Sequence, residues 1–214
     1  MVLFSDLNEQ DFSLIHAPID DLEFAAGATL YQEGETAPGV FTLREGLVKL
    51  SRVTPDGRQR ILRILRAGDV VGLEALATSQ YDSEAVALTP VKVCRIPTEV
   101  IHRLSQQSPR LHGRLLQKWQ EALKEADDWL AAINFGTARQ RVGQFILKMR
   151  HTTDPSVSTL FSREDMGAMM DLKLETVSRE ISALVREGTI EPLDRQGRLY
   201  RVVDTRRLEP ADRD

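Results

Sequence analysis

Toward the C-terminal end of the chain, Glu175, Ser178, Arg179, Ser182 and Arg186 fall in one narrow stripe when placed on a helical wheel. These residue types have a defined chemistry on a nucleic acid. Arginine can donate two hydrogen bonds to guanine O6 and N7, glutamate can accept from cytosine N4, and serine can meet a base edge or a phosphate. Val177, Ile181 and Leu184 lie opposite, so a helix docked on its apolar side presents the polar row outward. The same row has a plainer reading. Glu175 and Arg179 stand at i and i+4 and could form a solvated ion pair worth about 0.3–0.5 kcal/mol.

The surrounding pattern says what must position these residues. Ser162 is placed to cap a short helix running to Met169, Asp171-Leu172-Lys173 makes a turn, and a longer helix runs from about Leu174 to Glu187 with Gly188 as its stop. Ile190 to Val203 reads as two strands about Gln196-Gly197. Short helix, tight turn, longer helix and hairpin describe a winged helix-turn-helix. Upstream, Thr137-Ala138-Arg139-Gln140 reads as a capping box opening a helix with Val142, Phe145, Ile146 and Met149 on its core face. The polar stretch from His151 to Ser158, which contains Pro155, is expected to be a loop. Lys173, Thr176, Ser182, Arg186 and Arg198 are candidate phosphate or flanking contacts, with Arg195 and Arg201 nearby in the hairpin; such contacts position without specifying.

The first hundred residues follow another rhythm, short strands cut by turns. Gly34, Gly46, Gly57 and Gly68 recur at intervals of 12, 11 and 11, which suits the strand-plus-turn units of a sandwich or jelly roll. Pro55-Asp56-Gly57 is a turn signal, because proline presets φ and glycine accepts positive φ. A cupin-like enzyme uses the same architecture, but its metal site wants clustered histidines. The histidines here are His16, His102, His112 and His151, none of them in the β segment.

Between the two patterns, Pro109 to Ile133 reads as one helix of about 35 Å. Leu111, Leu115, Trp119, Ala122, Ala126, Trp129 and Ile133 step by 4, 4, 3, 4, 3 and 4, the spacing of a coiled-coil seam, and they are the candidate dimer row. A second row, Leu116, Leu123 and Leu130, recurs every seven residues. Two apolar stripes on one helix require two partners. One is expected to face the β domain and one a second subunit, the alternative being a helix sandwiched inside its own domain. Asn134-Phe135-Gly136 ends the stripes and reads as a hinge.

Composition bounds the rest. The chain has 214 residues with a formal net charge of -4, and mild acidity alone argues against a polyanionic partner. Divided along the chain, however, residues 1–133 hold 14 basic and 19 acidic side chains, whereas residues 134–208 hold 13 and 10. The segment with the candidate base readers is the basic one. A single cysteine, Cys94, supplies neither an intramolecular disulfide nor a thiolate set for an iron–sulfur cluster or zinc site, and points to a reducing cytoplasm. No apolar run approaches the roughly 18 residues of a membrane span, and the N-terminal MVLFSDLNEQD carries acids where an export signal carries positive charge, so neither membrane nor export is expected.

A β-roll, a long helix and a C-terminal winged helix-turn-helix resemble the CRP/FNR superfamily of bacterial transcription regulators, over essentially residues 3 to 208. The resemblance is carried by GVFTLREGLVKL, PDGRQRILRILRAGDVVGLEAL, VCRIP and, most specifically, REDMGAMMDLKLETVSREISALVREG. It implies an α+β protein that is not an enzyme: a cyclic-nucleotide-binding-like β-roll sensor (1–108), a dimerisation helix (109–133), a hinge (134–136) and a DNA-binding domain (137–214). It also implies a cytoplasmic homodimer acting on double-stranded DNA and on RNA polymerase. LETVSR resembles the FNR branch, in which the matching residues, here Glu175, Ser178 and Arg179, read a TTGAT-like half-site. The cyclic-AMP-binding members carry Gly-Glu-Leu followed by Arg-Ser-Ala. Here these runs are Gly72-Leu73-Glu74 and Ser83-Glu84-Ala85, so the effector-pocket candidates are Gly72, Leu73, Glu74, Ser83 and Glu84. With a glutamate near the expected phosphate and no arginine beside it, cyclic AMP is not the expected effector. Of the cluster-binding cysteines only Cys94 remains, and it reads as a small buried hydrophobe, with redox sensing the alternative. No cofactor is expected. Gating by haem or another small molecule, with His16, His102 or His112 as ligands, is the alternative sensor. A cupin-like β-roll protein with no DNA role is the alternative function.

Overall fold

The computed structural model describes residues 20–209, and the chain divides into two compact units, residues 1–126 and 127–214. The first unit contains β1 (Asp20–Phe24), β2 (Thr29–Tyr31), β3 (Gly39–Glu45), β4 (Leu47–Val53), β5 (Gln59–Arg66), β6 (Val70–Val71), a 3-10 turn at Leu73–Leu76, β7 (Glu84–Ala87) and β8 (Val91–Pro97). They form two four-stranded antiparallel sheets, ordered β1-β8-β3-β6 and β2-β7-β4-β5. Alternation builds the core. Along β8, Val91 and Val93 turn inward and Lys92 outward, and these valines pack with Val40, Leu43, Val48, Leu50, Ala85 and Ala87 in one apolar cluster drawing on both sheets. All four evenly spaced glycines have positive φ, between 80° and 103°, which is why the turns recur where they do.

Helix α1 (Thr98–Gln107) follows β8 directly and was not expected from the sequence, because only Val100 and Ile101 mark its buried side among the described residues. Helix α2 (Pro109–Ile133) has the bounds its periodicity predicts. The seam assignment requires correction. Leu115 and Ala122 pack against the β-roll core, while Trp129 and Ile133 are buried in the second unit, where the Trp129 ring lies 5.8 Å from Phe145. Trp129 and Ile133 are thus taken within the protomer, and Leu115 and Ala122 are partly covered by it. Trp119 is 41% exposed and Ala126 partly so. The row left outward is the other one, with Leu116, Leu123 and Leu130 exposed by 54%, 64% and 58%. The side chain of Leu111 and all of His16 lie outside the described residues.

The second unit continues with α3 (Ala138–Lys148), β9 (Val157–Thr159), α4 (Arg163–Met170), α5 (Leu174–Arg186), β10 (Ile190–Pro192) and β11 (Leu199–Val202). The capping box at Thr137 is formed in both directions: Thr137 Oγ1 accepts from the Gln140 amide, and Gln140 Oε1 accepts from the Thr137 amide. The stretch expected as a loop is corrected at its end. Val157–Thr159 is a strand, pairing with β11 to make a three-stranded sheet ordered β10-β11-β9. Three residues are too few for a two-residue alternation to show, and β11 supplies the pairing edge from about 40 positions away.

Candidate functional site

Helices α4 and α5 are joined through a turn whose geometry depends on two residues. Asp171 occupies the left-handed region at φ 53°, ψ 47°, and the Asp171 and Leu172 amides both donate to the Gly167 carbonyl. Aspartate tolerates that conformation better than most side chains. A Cβ on Gly167 would lie 2.5 Å from the Leu172 carbonyl oxygen, so only glycine lets the turn close this tightly over α4. Sequence reasoning did not single out Gly167; its signal, a glycine inside a helix four residues before the turn, is visible only once the turn is known. Ser162 caps α4, accepting from the Asp165 amide at 3.0 Å.

Val177, Ile181 and Leu184 are the buried residues of α5, as the wheel predicts. Glu175, Arg179, Ser182 and Arg186 are exposed, and Thr176 and Ser178 are half-buried beside them. The Arg179 side chain is 71% exposed, and its Nε bonds to Glu180 Oε1 at 3.4 Å. The ion pair considered for Glu175 and Arg179 does not form. Glu175 makes no ion pair among the described residues. Lys173 is the N-cap residue of α5 and provides no side-chain cap bond, leaving its ammonium exposed beside the N–H end of the helix. In the hairpin, Arg195 and Arg198 are exposed, and the Arg198 amide donates to Asp194 Oδ1. Arg201 is the exception, facing Glu191 at 3.9 Å.

Two arginines of α3, Arg139 and Arg141, brace the ends of α5 and α4 respectively, and neither role was anticipated. Arg139 makes a bidentate pair with Glu187 just past the end of α5, and this pairing is the main cause that holds the Glu187 carboxyl below the usual range. Arg141 Nη1 donates to the Met170 carbonyl at 2.9 Å, a cation at the C-terminal end of α4 where the helix dipole favours one.

In the first unit, a cavity of about 360 Å³ opens between the sheet edge of β4 and β5, the turn after β6, and α2. Leu73, Glu74 and Ser83 line it, together with Leu50, Arg52, Arg63 and Trp119. Two of the expected pocket residues do not. Gly72 has φ 79° and lies beneath the Tyr81 ring, and Glu84 Oε2 instead accepts from Ser51 Oγ across the β4–β7 pair. Gly72 has no side chain to offer, and Ser83 and Glu84, consecutive at the start of β7, point to opposite sides. Cys94 is fully buried in the core, and burial pushes its thiol up, which disfavours the thiolate that redox chemistry needs. His102 and His112 line a separate cavity of about 140 Å³ with Ile101, Leu115 and Trp119. Among the described residues no three His, Cys, Asp or Glu side chains are grouped to hold a metal ion, and no helix is long and apolar enough to cross a membrane.

Fold and site define a class: a β-roll joined by a long helix to a helix-turn-helix whose second helix has an exposed polar face. Residues 21–108 match the family described as cyclic nucleotide-binding domain, and residues 140–211 match the Crp-like helix-turn-helix domain. The chain is 32% identical over 179 residues to the transcriptional regulatory protein btr of Bordetella pertussis, covering 81% of this chain and 74% of that protein. It is 29% identical over 177 residues to the transcriptional activator protein FnrL of Cereibacter sphaeroides, covering 78% and 71%. In three dimensions it is similar to FixK2 of Bradyrhizobium japonicum, with a TM-score of 0.80 at 24% identity over 92% of this chain and all of that one. A CRP-family transcriptional regulator from Thermus thermophilus gives 0.74 at 26%, over 87% and 94%. The chain belongs to the CRP/FNR superfamily of transcription regulators. It is a DNA-binding regulator and not an enzyme.

Proposed function

We propose that the protein is a cytoplasmic homodimer that reads an inverted repeat of TTGAT-like half-sites, one α5 helix per half-site, about one helical turn apart. The observation that carries this reading is the outward row of α5, with Arg179 71% exposed on a helix whose opposite face is wholly buried. Glu175, Ser178 and Arg179 are the base readers. Lys173, Thr176, Ser182, Arg186 and Arg198 meet phosphate or flanking groups. The dimer forms along α2, with Leu116, Leu123 and Leu130 toward the second subunit, and RNA polymerase is the further partner. Residues 1–108 act as the sensor and 134–136 as the hinge between α2 and the reading domain. A signal at the β-roll shifts the packing of α2 and so repositions the reading domains about Gly136, which requires that the signal bind the two states unequally.

A mobility-shift series on duplexes carrying the full inverted repeat, one half-site or a scrambled site tests this directly. Binding tightest to the full repeat is expected; equal binding to all three sinks the reading. Lys173 gives a second check, since an exposed ammonium at the helix start meets phosphate rather than a base. Lys173→Ala should weaken binding to every sequence alike and flatten the dependence of log K on log salt by about one unit. A loss confined to one sequence would contradict that role.

A further inference from the structure

The β-roll cavity holds two opposite charges that do not neutralise each other. Arg63 lines it and makes no ion pair among the described residues, while Glu74 lines it with Oε1 buried and without a hydrogen-bond partner. The other two charged residues there, Arg52 and Asp82, are occupied with one another: Arg52 Nε donates to the Asp82 carbonyl, and its Nη2 lies 4.0 Å from Asp82 Oδ2.

Arg63 reaches the cavity through an irregularity in the sheet. In the β4–β5 pair Leu50 opposes Arg63 and Ser51 opposes Ile61, so Leu62 is an extra residue. Successive side chains on a strand normally point to opposite faces, yet Leu62 and Arg63 both line the cavity. The bulge re-aims them, a device typical of binding sites. The remaining lining is apolar: Leu50, Leu62 and Leu73 from the β-roll side, and Trp119, Ala122, Leu123 and Ala126 from α2. At about 360 Å³ the cavity is at the small end of ligand sites, which run about 300–1,000 Å³.

We propose that this cavity binds a small apolar zwitterion of the amino-acid type, its carboxylate on Arg63, its ammonium on Glu74 and its apolar body against Leu73, Trp119 and Ala122. The inference rests on the reading of residues 1–108 as a sensor and names the chemistry that sensor takes. The complement of separated plus and minus charges in an apolar chamber is a molecule that carries both on an apolar frame. A ligand with only an anionic group leaves Glu74 unmatched.

Calorimetric titration of the full chain without DNA tests this with four probes: tryptophan, indole-3-acetate lacking the ammonium, tryptamine lacking the carboxylate, and cyclic AMP. Tryptophan should bind, and each single-charge probe about tenfold to a hundredfold more weakly, the value of one charged hydrogen-bonded contact. Arg63→Gln should erase the preference for tryptophan over tryptamine, and Glu74→Gln the preference over indole-3-acetate, with unchanged circular dichroism showing that both variants fold. Three results would overturn the proposal: no binding of tryptophan; tighter binding of cyclic AMP than of tryptophan; or preferences that survive both substitutions. With no DNA in the titration, failure of the DNA-reading assignment would leave its result intact.

Discussion

Leu123→Glu is expected to yield a folded monomer whose affinity for the inverted repeat is lower by about a hundredfold to ten-thousandfold. Leu123 is 64% exposed in the protomer, so glutamate there faces water and the fold of each subunit is undisturbed. In a dimer the situation reverses. Leu116, Leu123 and Leu130 recur every seven residues on the outward side of a 25-residue helix, and burying each against a second copy is worth about 1–2 kcal/mol. A glutamate in that seam must be desolvated opposite its own symmetry mate, a cost of several kcal/mol. The two reading helices are then no longer joined, and the second half-site is bound without the benefit of effective concentration, which supplies the stated factor. Light scattering gives the mass, and mobility shift gives the affinity. A variant that stays dimeric, or a monomer that binds the repeat as tightly as the parent, would show that the exposed leucine row is not the interface.

Arg179→Ala should cost about 1–3 kcal/mol in binding and remove discrimination at a single guanine position of each half-site. The side chain is 71% exposed and held only by a long 3.4 Å contact to Glu180, so little inside the protein must be broken to release it toward a base. The same exposure means the substitution leaves the apolar face of Val177, Ile181 and Leu184 untouched. Two half-sites per dimer make the loss count twice on a full repeat. The measurement is a binding profile over every single-base change in the half-site. A uniform loss across all positions would assign Arg179 to phosphate, and an unchanged profile would remove it from the interface altogether.

The charge of the chain shows how a total conceals an arrangement. A net of -4 argues against DNA, but the surplus of acids belongs to residues 1–133, and residues 134–208, which bear the helix-turn-helix, carry 13 basic side chains against 10 acidic. Local patterns were similarly legible. The capping box at Thr137, the serine cap at Ser162, the turn at Asp171 and the buried stripe of α5 all involve groups close together along the chain. Such contacts are decided by helix geometry and side-chain chemistry alone. The family match extends the legibility to most of the chain, since the same two domains are recognised over residues 21–108 and 140–211.

What sequence patterns left open has one common cause: each feature depends on a surface contributed from far along the chain. Both apolar rows of α2 satisfy a helical repeat, and only the presence of the β-roll core decides that Leu115 and Ala122 pack on it while Leu123 stays largely exposed. Val157–Thr159 becomes a strand because β11 offers it an edge. Arg63 enters the cavity because a bulge shifts the β4–β5 register by one residue, and a register is a relation between two strands that neither strand encodes. The sequence by itself determined the two rhythms of the chain, the long helix between them and the exposed polar face of α5, because periodicity and capping are local. Which helical stripe stays outward, which charges share a cavity and what braces the ends of α4 and α5 were decided by tertiary structure, because burial and pairing are set by whatever else the fold brings within reach.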